Sequence, residues 1–112
     1  MDLPDFIQAF PAIDIPFPDS IVTTSVIRSD AGLMVIFAFQ EDFALPEHFH
    51  KAQWGTVLEG QLELTIDGNS RTYLPGESYS ISSGVLHAVK VTAGTKTIDI
   101  FEESNRYPLR DS

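Results

Sequence analysis

The chain has no cysteine, which excludes disulfides, thiolate metal sites and a cysteine nucleophile together. The absence of thiols fits a reducing compartment, so a cytoplasmic location is expected. Bases are scarce: 7 Lys and Arg against 16 Asp and Glu leave a formal charge of −9. That balance argues against nucleic acid or an anionic membrane as a partner. The acids read as solubilising. No apolar run approaches the roughly 20 residues of a bilayer-spanning helix. The opening MDLPDFIQAF carries acids and a proline where a secretory leader would carry bases, so no signal peptide is expected there.

What remains is globular. Hydrophobic residues make up 43% and aromatics 11% of 112 residues, enough for one domain with a core. Residues 1–19 are rich in proline and phenylalanine. Pro4, Pro11, Pro16 and Pro18 break any long helix, while Phe6, Phe10, Ile13, Ile15 and Phe17 need a surface to pack on. This segment is expected to be an arm lying on the rest of the domain or on a second subunit. Residues 20–112 form the β-domain.

From residue 20 onward the pattern is short strands between turns, with no helical period of ten residues. Strands are expected over residues 20–29, 33–40, 53–58, 61–67, 70–74, 77–81, 85–91 and 97–102. Residues 41–46 are expected to form a loop. Asp67-Gly68-Asn69 is a hairpin signal. Many short strands at near-regular spacing indicate a sandwich or barrel.

Only three histidines occur, and their spacing is informative. His48 and His50 stand two apart, so on a strand they share one face. Neutral imidazoles side by side make half a metal site. His87, in SSGVLHAVK, would bring a third nitrogen from a separate strand. Ordinary surface or core roles explain any one of them, but not all three in one spaced pattern.

These residues resemble the motifs of the cupin superfamily. His48, His50 and Gly60 fall at the intervals of its first motif, and Gly76, Gly84 and His87 at those of its second. The likeness covers roughly residues 33–102. It implies an all-β, double-stranded β-helix or jelly-roll barrel with a divalent ion (Fe, Mn, Ni or Zn) on His48, His50 and His87. The family's glutamate position is occupied by Gln53, which arrives two residues after His50 rather than three or four. Asp42, Ser82 and Val91 replace the motif's glycine, proline and asparagine, changes expected to affect turns only. A glutamine ligand is neutral and leaves the ion its full charge, which weakens metal binding but sharpens polarisation of a bound oxygen. The alternative is that Gln53 stands behind the metal and orders a water.

Tyr79 and Glu59 are the candidate catalytic side chains. Tyr79 equally suits a core position with a satisfied hydroxyl, and Glu59 equally suits an exposed rim at its turn. Asp99, in TIDIF, is expected to point outward to water, with the cavity as the alternative. Met34, Phe37 and Phe39 are expected in the cavity wall or the core. Phe49 and Trp54 alternate with the candidate ligands and face out, so they need cover; a homodimer is expected on that ground. The resemblance implies a metal-dependent oxygenase-, lyase- or isomerase-type enzyme acting on a small oxygen-rich molecule. A non-catalytic metal-dependent binding or sensor module is the alternative. Metal-free isomerase chemistry would need a lysine or histidine base, and Lys51, Lys90 and Lys96 read as exposed.

Overall fold

The computed structural model describes residues 2–110. A four-residue helix, α1 (Asp5–Gln8), precedes the strands β1 (Val22–Ser29), β2 (Gly32–Phe39), β3 (Phe43–His48) and β4 (Gln53–Glu59). They are followed by β5 (Leu62–Ile66), β6 (Asn69–Tyr73), β7 (Ser78–Ile81), β8 (His87–Val91) and β9 (Lys96–Phe101). Two antiparallel sheets face each other, in the orders β1-β2-β9-β4-β7 and β3-β8-β5-β6. This is the jelly-roll arrangement.

Alternation decides which side chains fill the barrel. Leu62 and Leu64 on β5 are buried while Glu63 between them is not, and Val57, Tyr79 and Ile81 meet them from the other sheet. Each fully buried leucine or isoleucine is worth about 1.5–3 kcal/mol of transfer free energy. The β5–β6 hairpin closes through Asp67 and Gly68, both at positive φ (51° and 76°), with Ile66 opposite Asn69. A two-residue turn of this hand matches the twist of the strands, and it selects Asp-Gly.

The expected loop over residues 41–46 is instead most of β3. It pairs with β8 from Phe43 to His48, and its register shifts between Leu45 and His48. Pro46 sits at that irregularity, where a missing N–H interrupts nothing. The irregularity carries His48 to a position opposite His87.

A second buried cluster joins Ile13, Val26, Leu33, Val35 and Phe101, with Ile15, Tyr107 and Leu109 against it. The N-terminal arm reaches it by real pairing. Val26 N donates to Pro11 O at 2.8 Å, Ile13 N to Thr24 Oγ1 at 3.0 Å, and Ile13 bridges Leu109 in the returning tail. The arm covers one end of the barrel and leaves Phe49 (68% exposed) and Trp54 (43%) bare. Met34 faces away from the interior, beside Ile27 on β1 and Ile100 on β9. Among the described residues no helix is long and apolar enough to cross a membrane.

Candidate metal centre

Between the two clusters lies a cavity of about 370 Å³, open at one side. His48, His50, His87, Gln53, Tyr79, Asp99 and Arg106 line it, together with Phe37, Phe39, Phe43, Leu62 and Val89. β3 and the turn after it deliver His48 and His50, and β8 delivers His87. One potential ligand atom from each ring lies within 4.8 Å of the other two.

The outward nitrogens of these rings are already assigned. His48 Nδ1 meets Pro46 O at 2.8 Å, His50 Nδ1 meets Lys51 O at 2.6 Å, and His87 Nδ1 meets Val85 O at 2.9 Å. A carbonyl only accepts, so each Nδ1 carries the proton and each Nε2 keeps a lone pair. Such carbonyl partners fix the tautomer and orientation that metal-bound imidazoles need. His87 is 1% exposed, and its Nε2 is buried without a hydrogen-bond partner. An orphaned acceptor beside two other acceptors is repulsive unless a cation stands between them. The donor set therefore fits a divalent ion.

Burial, opposed by the bond to Val85 O, holds His87 below its ordinary basicity; neighbouring positive charge from His48, His50 and Arg106 adds to this. His50 is lowered too, chiefly by burial. Both rings thus favour the neutral, ligating form.

Asp99 departs from expectation. It is 3% exposed and turned inward, not toward water. Register explains the direction: Asp99 stands opposite Val35 on β2 and Gly55 on β4, and Gly55 stands opposite Tyr79 on β7. Val35, Gly55 and Tyr79 are all buried, so the acid shares their face. It accepts from Tyr79 Oη at 2.5 Å and Gln53 Nε2 at 2.8 Å on one oxygen, and from Thr97 Oγ1 at 2.7 Å on the other. Burial pushes its carboxyl above the usual range, against the pull of those three donors. The same burial, with the Asp99 charge, pushes the Tyr79 hydroxyl far up, so it stays protonated. Gly55 makes the cluster possible, since a Cβ there would lie 2.3 Å from Asp99 Oδ1 and 2.4 Å from Tyr79 Cζ.

Gln53 belongs to this polar row. Its amide nitrogen is spent on Asp99, which leaves its amide oxygen as the atom it could offer a metal. Glu59 is not among the residues lining the cavity; its carboxylate stands 3.5 Å from Lys96 Nζ. That lysine side chain is only 15% exposed, contrary to the exposed reading, but no lysine lines the cavity either. Arg106, read from the sequence only as a tail residue able to close a rim, lines the cavity. Thr97 and Asp99 line it too, and pattern reading did not place them there. Their signal was the register of β9 against β4, which periodicity within one strand does not contain.

A two-sheet jelly roll with three histidines gathered inside defines a class of barrel, and the matches agree. A family model described as "Cupin domain" covers residues 35–101, and the chain belongs to that Cupin_2 family. Over 39 residues it is 44% identical to the HTH-type transcriptional regulator PuuR of Escherichia coli strain K12. That stretch is 35% of this chain and 21% of PuuR, so the match spans about a fifth of the regulator's length. The fold is similar to an RmlC-like cupin from Shewanella frigidimarina, with TM-score 0.70, 21% identity, and 93% and 88% of the two chains covered. It is also similar to KdgF from Halomonas sp., with TM-score 0.68, 20% identity, and 89% and 87% covered. An oxalate decarboxylase from Bacillus subtilis aligns with TM-score 0.68 and 17% identity over 88% of this chain and 29% of that one.

Proposed function

We propose that this chain is a metal-dependent enzyme that takes a small molecule into the cavity and acts on it beside His48, His50 and His87. One observation carries the reading: each Nδ1 is spent on a backbone carbonyl, and the buried Nε2 of His87 has no partner among the described residues. Gln53 is the proposed fourth ligand through its amide oxygen. A bound divalent ion would supply a Lewis acid for a substrate oxygen or a place for dioxygen. Iron, manganese, nickel and zinc all accept three nitrogens and one oxygen. The Mn(II) centres described for the B. subtilis oxalate decarboxylase keep manganese in that set.

The chain's own residues do the positioning. Asp99 holds Gln53 and the Tyr79 hydroxyl, and the phenylalanines exclude water. Tyr79, whose one hydroxyl proton is spent on Asp99, is a candidate acceptor toward a substrate hydroxyl. An oxygenase, lyase or isomerase reaction is the proposed class.

A second reading has its own support. Inside the cavity no buried carboxylate is without partners: Asp99 accepts three bonds, and the other two lining acids, Asp14 and Glu47, are exposed. A barrel without a ready base suits a ligand-binding or sensing module, and the likeness to a transcriptional regulator fits it. The test begins with metal analysis of untagged protein. About one ion per chain is expected in the wild type and a loss of at least tenfold in affinity for His87→Ala. Oxygen uptake and product formation on diketones, hydroxy acids and phenols then separate the two readings. An empty wild-type protein that no divalent metal stabilises would end the metal reading.

A further inference from the structure

The wall beside the histidines shows what the rest of a ligand is made of. Arg106 follows β9 in a tail that returns to the arm. Asp14 N donates to Pro108 O and Arg110 N to Ala12 O, both at 2.8 Å, and Arg28 donates to Tyr107 O at 2.8 Å. These bonds fix the segment that carries Arg106 into the cavity. Its guanidinium lies over the Tyr107 ring, 4.4 Å from the centroid, and 6.0 Å from that of Phe101. Aromatic faces hold the charge but satisfy none of its in-plane donors.

Those donors are idle. Among the described residues nothing accepts a hydrogen bond from the Arg106 side chain, and its Nε is buried without a partner. The chain's other arginines are engaged: Arg28 with Tyr107 O, Arg71 with Glu77, and Arg110 with Asp19. In a chain of net charge −9 an arginine left unpaired beside three histidines is unusual. A part-buried guanidinium with a free fork is matched by a carboxylate, which accepts two parallel N–H bonds.

The remaining wall has a polar row, Gln53, Tyr79, Thr97 and Asp99, bonded within itself, and a larger apolar part. Phe39 stacks between Phe37 and Phe43 at centroid distances of 5.8 and 5.6 Å, Phe17 meets Phe43 edge-on at 4.8 Å, and Leu62 and Val89 complete the surface. Hydroxyls of a sugar-like body would lose water there and gain nothing.

We infer that the cavity takes a small monocarboxylate with an apolar body, aromatic or branched aliphatic, whose carboxylate is held by the Arg106 fork. This deepens the proposed function, on which it rests for the metal, and it replaces an oxygen-rich body by an apolar one. The ligand's carboxylate meets Arg106, while its body lies along Phe37, Phe39 and Phe43.

Titration calorimetry on the full chain, with and without cobalt loading, tests it. The probes are phenylacetate and 4-methylpentanoate, their neutral amides, acetate, and phenyl phosphate. Each acid should bind at least tenfold more tightly than its amide, and phenylacetate at least tenfold more tightly than acetate. Phenyl phosphate should not exceed phenylacetate. Arg106→Gln should abolish the preference for acid over amide while metal uptake stays at the wild-type level. Arg106→Lys keeps the charge but not the fork and should fall between the two, which covers a Gln variant that fails to fold. Acids and amides binding alike, or an Arg106→Gln variant with wild-type preference, would overturn the inference. Protein that takes up no metal yet shows Arg106-dependent binding refutes the metal reading and supports this one. Metal uptake without that binding does the reverse.

Discussion

Along β9 the side chains that enter the barrel are Thr97, Asp99 and Phe101, whereas Ile98 and Ile100 turn outward. The neighbouring strands repeat the contrast. The inner rung runs Val35, Asp99, Gly55, Tyr79; the outer rung runs Ile27, Met34, Ile100, Trp54. In a sheet with one wet face the acid belongs outside and the isoleucines inside. Here part of that polarity is reversed. The difference teaches that the inner face was shaped by a cavity needing polar groups, and the outer face by something other than solubility.

The largest effect expected from breaking this contrast comes from the inner rung. Asp99→Ala strands three donors, Tyr79 Oη, Thr97 Oγ1 and Gln53 Nε2, in a buried site. Each unsatisfied group costs about 1–3 kcal/mol less whatever water enters, so a loss of about 3 kcal/mol is expected in urea unfolding. Gly55→Ala attacks the same cluster from the backbone side, where the new methyl would overlap both Asp99 and Tyr79. Overpacking of this kind costs about 1–3 kcal/mol. Thr56→Ala, one residue along and on the outer face, gives up only an exposed hydrogen bond to Glu77 O and should stay within about 1 kcal/mol. Equal costs for Gly55→Ala and Thr56→Ala would erase the contrast.

A smaller effect should follow pH in the metal-free protein. His50 and His87 are held below the ordinary value of 6.5 by burial. Well above pH 6.5 both rings are neutral whether the chain is folded or not, and they make no difference. As pH falls below 6.5 the unfolded chain takes up protons that the buried rings resist, so folded stability declines. The slope cannot exceed about 1.4 kcal/mol per pH unit for each ring. Asp99, whose carboxyl is raised, acts with the opposite sign, so the clean comparison is against His87→Ala. The melting temperature should fall between pH 7.5 and 5.5, and His87→Ala should flatten that fall. An unchanged slope in the variant would show that His87 is not the resisting ring.

Much of this molecule was legible in its residues. The strands, the Asp67-Gly68 turn and the outward Phe49 and Trp54 followed from local pattern, because alternation and turn chemistry are local rules. The inward Asp99 was not legible, because its environment is set by strands distant in sequence. Val35 and Tyr79 decide its face, and nothing within TIDIF names them. The strand at residues 43–48 was hidden for a related reason: Pro46 reads as a breaker until its partner strand shows the register shift that accommodates it. Arg106 could be read only as a tail residue able to close a rim, since nothing in its spacing demands it. Its place depends on the tail returning to the arm, through contacts between the two ends of the chain.

The outer rung supplies the last prediction, a homodimer whose disruption leaves the fold nearly untouched. Ile27, Ile100 and Trp54 are 46%, 43% and 43% exposed, and cross-strand register sets them side by side with Met34 between. Apolar side chains alone on a surface need no explanation, but a contiguous row across four strands does. The N-terminal arm does not supply the cover, since Ile13 and Ile15 are taken up by the chain's own barrel and Phe17 by Phe43. A two-fold pair of such sheets would bury the row against its own copy, the arrangement most homo-oligomers use. Light scattering at micromolar concentration should give twice 12.4 kDa. Ile100→Glu should return the mass to that of one chain while urea stability, corrected for dimer dissociation, changes by less than about 1 kcal/mol. The variant places its charge on the wet side of β9, where an acid would ordinarily sit, so the inner rung has no reason to respond. A wild-type mass of 12.4 kDa would sink the dimer. A dimer that survives Ile100→Glu would move the interface off this face.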